Sequence, residues 1–480
     1  LISKSIESNR EEINRIFNES SDLVLYEFNT LSEDRALVVY IEGLIDNKVL
    51  NEDLLKPLIQ DLISPQDILS TVFISETKKI SSIQEVIQPI TDGEVVLFIE
   101  NMELAYIFDL NKWENRAITE PGTERVVRGP KEGFIEDIKV NKVLIRRKVR
   151  NSKLVFEDYT LGVQTNTKIS LAYINGIVKE EILDELRRRI QEIQIDSILD
   201  TGYLERYIED APRTVICTIG HSEKPDVVVG KILEGRIAII CDGSPDVLTI
   251  PKVFIENLQM ADDYYSRPQY ATFLRILRLF ALITSVVLPG FFVALKTFHQ
   301  EMIPAKLLVS MAKNIEEVPF TALVEALLMI LFFELIKESG LRIPNNIGTA
   351  VTVVSGIVLG QTAVQAGLVG PTMVIVIAIA GISEFIIPSQ REMIVIYRLI
   401  ILLLGGFLGL YGIVCGISII LVHLISLKSF GVPYMYPIAP YDKEGMKDFI
   451  FMRSVKETNY RPRALSNKKA VKRNEIYDKK

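Results

Sequence analysis

Residues 343–383 contain no Lys, Arg, Asp or Glu, and this run constrains the chain more than any other feature. A hydrocarbon core of roughly 30 Å is crossed by about 20 helical residues. The run therefore reads as two helices, joined at Gly370-Pro371 as a tight hairpin. Other apolar stretches flank it. Residues 279–295 lie between Arg275 and Arg278 on one side and Lys296 on the other, with Pro289-Gly290 inside as a kink. Residues 318–336 carry Glu325 and Glu334. Residues 399–427 contain Gly405, Gly406, Gly409 and Gly412 and read either as one long tilted span or as two short ones. Counting apolar runs gives five spans, whereas the basic residues after 437 and the charged N-terminal part, both preferring the cytoplasmic side, give an even number. Five and six both stand. Residues 303–317 are expected to be extracytoplasmic or interfacial.

The first 268 residues differ sharply from this half, because charges there recur every few positions. Residues 36–41 and 94–99 read as buried strands and 51–62 as a helix. Residues 168–174 and 236–241 read as further strands, with an amphipathic helix over 180–194. The fold class expected is an α/β N-terminal soluble region of two subdomains plus a C-terminal polytopic α-helical membrane domain. Its divisions are 1–113, 114–268 with a connecting loop, a transmembrane part over 269–430, and a basic tail over 431–480. That tail hides within a net charge of −7; from Pro437 on there are twelve Lys and Arg against six Asp and Glu. The first forty residues lack the apolar core of a signal peptide, so the N-terminal region is expected in the cytoplasm. Cys217, Cys241 and Cys415 are too scattered for a disulfide framework or a zinc site.

Few residues of the soluble part point to chemistry. The loop EPGTERVVRGPKEGF over 120–134 mixes charge with Gly and Pro. Its Arg125, Arg128 and Lys131 suit an anion, but Glu124 and Glu132 interleave with them, which favours an ion-paired inter-subdomain or assembly loop. Arg146, Arg147, Lys148 and Arg150 read as a solvated strand edge or partner-facing surface rather than a nucleic-acid site. His221 and Glu223 in HSEKPD lack metal-ligand spacing and read as a surface turn. With no phosphate loop, dinucleotide fingerprint, metal cluster or nucleophile motif, the chain is not expected to be an enzyme, and no cofactor is implied.

Several stretches, in this order, carry a family resemblance. They are ENRAITEPGTERVVRGPKEGFIEDI (114–138), KPDVVVGKILEGRIAIICDGSPDVLTIP (224–251), DDYYSRP (262–268), HQEMIP (299–304), GQTAVQAGLV (360–369) and SFGVPYMYPIAP (429–440). Together they resemble the GerA-family A-type subunits of spore nutrient germinant receptors. The resemblance implies a location in the inner membrane of a bacterial spore. It also implies two partners: a transporter-like B-type subunit that senses the nutrient and a lipoprotein C-type subunit. It further implies a homo-oligomer, a pentamer in the family picture, forming a gated channel for small monovalent cations. Glu384 departs from the apolar character of its span, which bears on pore chemistry.

At helical period one face of the hairpin's first helix collects Thr349, Thr352, Ser355, Gly356, Leu359 and Thr362. Hydroxyls there suit a partly hydrated ion and Leu359 a constriction, while the same residues also suit plain helix packing in lipid. Of the intramembrane acidic residues, Glu325 and Glu334 are separated by about 900° of helix and so lie on opposite faces. Such groups must face protein or water. Glu325 suits cation attraction, a proton-sensitive switch or a helix-joining hydrogen bond. Glu334 and Glu384, nearer span ends, suit pairing with Lys337 or Arg391. A non-conducting scaffold for the sensing partner accounts for the same features.

Overall fold

The computed structural model describes residues 1–467 apart from 65–66, 75–76, 112–120, 123, 125, 307, 309–317, 343–355, 357, 359 and 454–460. Its N-terminal half is two antiparallel five-stranded sheets. The first is ordered β1(Leu23–Asn29), β2(Arg35–Ile41), β4(Val95–Ile99), β5(Ala105–Phe108), β3(Thr77–Ile80). The second, ordered β6(Leu154–Leu161), β7(Thr167–Ile174), β9(Ile237–Cys241), β10(Val247–Ile250), β8(Gly220–Ser222), repeats that topology strand for strand. Each sheet is entered through a helix, α1(Ile6–Ile16) or α3(Ile138–Lys148), and each fourth strand follows a helix, α2(Ile83–Asp92) or α6(Pro225–Leu233).

The repeat extends to single hydrogen bonds. Asn9 Oδ1 accepts from the Ser3 N–H at 2.9 Å while its amide donates to the Ser3 carbonyl; Asn141 does the same to Ile135. Glu100, just after β4, accepts from the first N–H of α1 at 3.1 Å, and Asp242, just after β9, accepts from that of α3 at 3.3 Å. These carboxylates satisfy donors that a helix start leaves orphaned. Tyr40-Ile41-Glu42-Gly43-Leu44-Ile45 answers to Tyr173-Ile174-Asn175-Gly176-Ile177-Val178. Both glycines sit at positive φ, 82° and 83°, where a Cβ is strained.

Strand alternation explains the long apolar runs. Leu37, Val39, Val96 and Phe98 face α1 and α2, whereas Ala36, Val38, Val95 and Leu97 face the helical stretch over 47–60. The second sheet is also covered twice, by α3 and α6 on one face and by α4(Glu180–Glu192) and α5(Thr201–Ile208) on the other. That second core runs on without a break into the C-terminal helices. The first strands and helices expected from sequence are present, and the helix read over 180–194 ends at Glu192.

Two expectations are corrected. Arg146 is not on a solvated strand edge. It lies in the last turn of α3, 1% exposed, with Nε and Nη2 each 2.8 Å from the Asp22 carboxylate, and it joins the two sheet units. His221 is not in a turn: it is the middle residue of β8, paired with Leu248.

The C-terminal half contains α7(Pro268–Phe298), α8(Ala322–Arg342), α9(Pro371–Phe385) and α10(Arg391–Ser426). Residues 268–298 and 388–426 are long and apolar enough to cross a membrane. α10 is not straight. Gly409 breaks it at φ 61°, ψ −148°, and a Cβ on Gly416 would fall 2.7 Å from the side chains of Ile401 and Leu404. Residues so far apart along a straight helix touch only if the two halves fold back side by side. At the bend Gly409 faces Phe298 and His299, the end of α7 remote from the sheets. Gln390 and His423, at the two ends of α10, instead bond Asn257 and Thr214 of the second sheet unit. α7 and α10 cross where Gly290 and Gly405 meet; a Cβ on either would be within 2.7 Å of the other helix's backbone.

The chain after α10 returns to the second sheet unit: the Ser429 hydroxyl donates to the Thr218 carbonyl, and the Asn467 N–H to that of Ile177. Replacing Arg146 by Met leaves Asp22 buried without its cation. This is expected to lower unfolding stability by about 3 kcal/mol or more. Urea unfolding followed by tryptophan-independent circular dichroism checks it; a loss below about 1 kcal/mol overturns the assignment of Arg146 as the link between the units.

Candidate functional site

Apolar surroundings admit a charge only when it is paired and hydrogen-bonded. The C-terminal helices meet this requirement in three clusters. At the end remote from the sheets, Glu325 of α8 is 1% exposed. Its Oε1 is 2.7 Å from Lys296 Nζ of α7, and its Oε2 accepts from the Gly370 N–H at 3.0 Å. Gly370 caps α9, whose next residue is a proline with no N–H, so the carboxylate sits at the positive end of that helix. One side chain thus joins three helices.

The second cluster lies deeper toward the sheets. Glu384 of α9, 2% exposed, accepts from Lys337 Nζ of α8 at 2.5 Å and from Arg398 Nη2 of α10. Lys337 is also 2.7 Å from Glu334, and Arg398 Nη1 is 3.6 Å from it. Arg398 Nε donates to the Ser285 carbonyl of α7 at 2.9 Å. Two cations and two carboxylates thus close a neutral network touching all four helices. Of the two partners considered from sequence for Glu334 and Glu384, Lys337 reaches both, while Arg391 is 3.9 Å from Glu384. Arg398 is the residue that sequence reasoning missed, although a lone arginine bordering an apolar run is a readable signal. Glu325 and Glu334 share no partner, in keeping with their opposite faces.

The third cluster is the junction. Asp263, fully buried, accepts from Arg278 Nη1 and Nη2 at 2.7 and 2.9 Å and from Arg275 Nε at 3.3 Å. Arg275 reaches on to Asp448 at 2.8 Å and the Phe449 carbonyl at 2.6 Å. Arg275 and Arg278, read from sequence as the flank of a span, are therefore the clasp between the DDYYSRP segment, the first turns of α7 and the returning chain.

The 120–134 loop is held mainly through its backbone. The Arg128 N–H donates to Asp262 Oδ1 at 3.2 Å while its side chain is exposed, and Glu132 is 3.0 Å from Lys148. Arg125 lies outside the described residues. So do Thr349, Thr352, Ser355 and Leu359, as well as most of 303–317. Of the face they belong to, Gly356 is exposed with open space around it, and Thr362, also exposed, donates its hydroxyl to the Val358 carbonyl at 2.6 Å. Among the described residues no His, Cys, Asp or Glu group is arranged to hold a metal ion, and the cysteines are free thiols.

Comparison with known proteins adds an independent line. The family model described as Bacillus/Clostridium GerA spore germination protein matches residues 11–464. "Spore germination protein KA" of Bacillus subtilis (strain 168) is 41% identical over 482 residues, covering 98% of this chain and 89% of that protein. "Uncharacterized membrane protein YfkQ" of the same organism is 35% identical, covering 94% and 90%. Among solved structures, the N-terminal domain of the A subunit of the Bacillus megaterium spore germinant receptor GerK3 aligns with 53% of this chain and 97% of its own, at 30% identity and a TM-score of 0.43.

Glu384→Gln strands two cations on Glu334 alone. It is expected to lower the stability of the detergent-solubilised chain by about 3 kcal/mol, whereas Glu384→Leu combined with Arg398→Leu should recover much of that loss. Thermal unfolding of the three chains in an uncharged detergent measures this; equal stability of the single variant and the parent overturns the network's structural role.

Proposed function

The chain belongs to the Bacillus/Clostridium GerA spore germination protein family, and we propose that it is the A-type membrane subunit of a nutrient germinant receptor in the inner membrane of the spore. The observation that carries this reading is the family match over residues 11–464, which takes in the sheets and the helices alike. The relatives named as spore germination proteins and as a membrane protein support it.

The polytopic membrane domain is supported by the direction of each helix. α7 runs from the sheets outward to Phe298, and α8 starts beside Lys296 and ends beyond Lys337. α9 starts beside Glu325 and ends at Phe385 near the sheet unit. α10 goes out to Gly409 and returns. Each half of α10 has about 17 residues, roughly 26 Å of helix. α8 ends near the sheets whereas α9 starts far from them, which favours six spans over five.

Within the membrane we assign the A-type subunit to a homo-oligomeric, gated cation channel working with B-type and C-type partners. Gly356, exposed with open space around it, supports this reading among the described residues of that face. A non-conducting scaffold is the second reading. It is favoured by Glu325, Glu334 and Glu384, which are all engaged by internal cations rather than presented to an ion.

Ion flux distinguishes them. The chain is reconstituted in liposomes with and without its partners, as wild type and with Leu359→Ala or Thr352→Ala. A channel subunit gives cation leakage that these substitutions alter several-fold; verified, assembled complexes that pass no cations select the scaffold.

A further inference from the structure

A cavity of about 980 Å³ lies where the second sheet unit, the segment leading into α7, the loop after α9 and the returning chain converge. It is not part of any of the three clusters among the helices, although Asp448 of the junction lies on its wall. Its deep wall is cationic. Lys231, Arg236 and Lys252 all line it; Glu256 lies 3.2 Å from Lys231 Nζ and 3.2 Å from Arg236 Nη2, and Glu234, also on the wall, lies 3.5 Å from Arg236 Nη2. Glu256 Oε1 is further occupied by the Val253 N–H at 2.7 Å.

Two donors on this wall have no acceptor. Lys252 is 4% exposed, and its ammonium makes no hydrogen bond or ion pair among the described residues. Arg236 is likewise 4% exposed, and its Nε is a buried donor without an acceptor. A buried donor left without an acceptor, as Arg236 Nε is, is costly, the more so on a charged group. A ligand that accepts from it and from the Lys252 ammonium would relieve that cost.

Carboxylates that share the wall, among them Glu124, Asp226, Glu234, Asp262 and Asp448, are engaged by other partners or held toward the neutral form. Burial pushes the Glu124 carboxyl above its usual range, toward the neutral form, while its Oε2 accepts from the Ser222 hydroxyl. Desolvation in the cavity wall, together with Lys252 and Lys231, pushes His221 down to about 4 although the residue is exposed at the surface. Asp226 is engaged by the Tyr265 hydroxyl at 2.7 Å and by Lys224 at 3.5 Å. Toward the helices the wall changes to Met260, Phe385, Pro388 and Met452, next to segments read as membrane-embedded.

We propose that this cavity binds a phosphate oxyanion, seated between the Lys252 ammonium and the Arg236 guanidinium. Guanidinium and ammonium groups together suit phosphate in charge and in donor geometry. The anion comes either from the headgroup of an acidic phospholipid, with its acyl chains along the apolar wall, or from a soluble phosphate. The inference is independent of the receptor assignment, since it uses only the cavity's own residues.

The test uses the full-length chain in nanodiscs of zwitterionic lipid, with inorganic phosphate titrated against chloride at matched ionic strength, and in parallel nanodiscs containing phosphatidylglycerol. Melting temperature and, for the lipid, retained adducts in native mass spectrometry are read. Saturable stabilisation by phosphate identifies a soluble source; stabilisation and retained adducts with phosphatidylglycerol alone identify a lipid. Lys252→Met should weaken whichever effect is seen by tenfold or more, and Lys252→Arg should largely keep it. Absence of both effects in the wild type overturns the proposal without reference to any variant. So does an equal response from a Lys252→Met chain that folds with unchanged circular dichroism.

Discussion

Glu384 and its two cations form the interaction on which the helical half depends. A carboxylate at that depth is tolerated because Lys337 and Arg398 hold it from two other helices, and Arg398 in turn reaches a carbonyl on the fourth. An apolar contact can slide along a helix, but this network can close only in one register. Glu325 fixes the opposite end by the same logic, through Lys296 and the N–H of Gly370, the cap of α9. Close helix contact then follows from small residues, most clearly at the Gly290–Gly405 crossing.

The sheet half is tied to this frame by continuity of the core rather than by a linker. The apolar cluster around β7, β9 and β10 includes Ala281 and Val286 of α7, Ile394 and Ile401 of α10, and Tyr434 and Leu465 of the returning chain. Asp263 adds a buried clasp at the point where the chain passes from sheet to helix. The first sheet unit stands apart from this, held to the second through Arg146 and Asp22. Two units of one topology therefore have different attachments, one to the helices and one to its duplicate.

What was legible in the sequence follows from range of interaction. Strands such as β2 and β4 and the helix α4 declare themselves by local periodicity, and their positions agree with the sequence reading to within a residue or two. That Glu334 and Glu384 suit pairing with Lys337 or Arg391 was legible from span ends and charge sign, but that Lys337 bridges both, one of them 47 residues away, was not. Arg146 was misread because neighbouring basic residues hide which one points inward; only the approach of Asp22, more than a hundred positions away, decides it. The duplicated sheet was written in Tyr-Ile-x-Gly at Tyr40 and Tyr173, a signal too short to stand out before both glycines are seen at the same backbone angle. The reversal at Gly409 needed contacts between the two halves, since a glycine inside an apolar run suits a straight, packed helix equally well.

That reversal has a mechanical consequence. Both ends of α10 and the start of α7 are fastened to the second sheet unit, so these pieces share one apolar core and turn together as a stator. α8 and α9 contribute to a second apolar cluster that also takes in Val293 of α7 and Leu402 of α10. A rearrangement that spares the larger core has to act at this second cluster, and the ion pairs of Glu325 and Glu384 are what it must break.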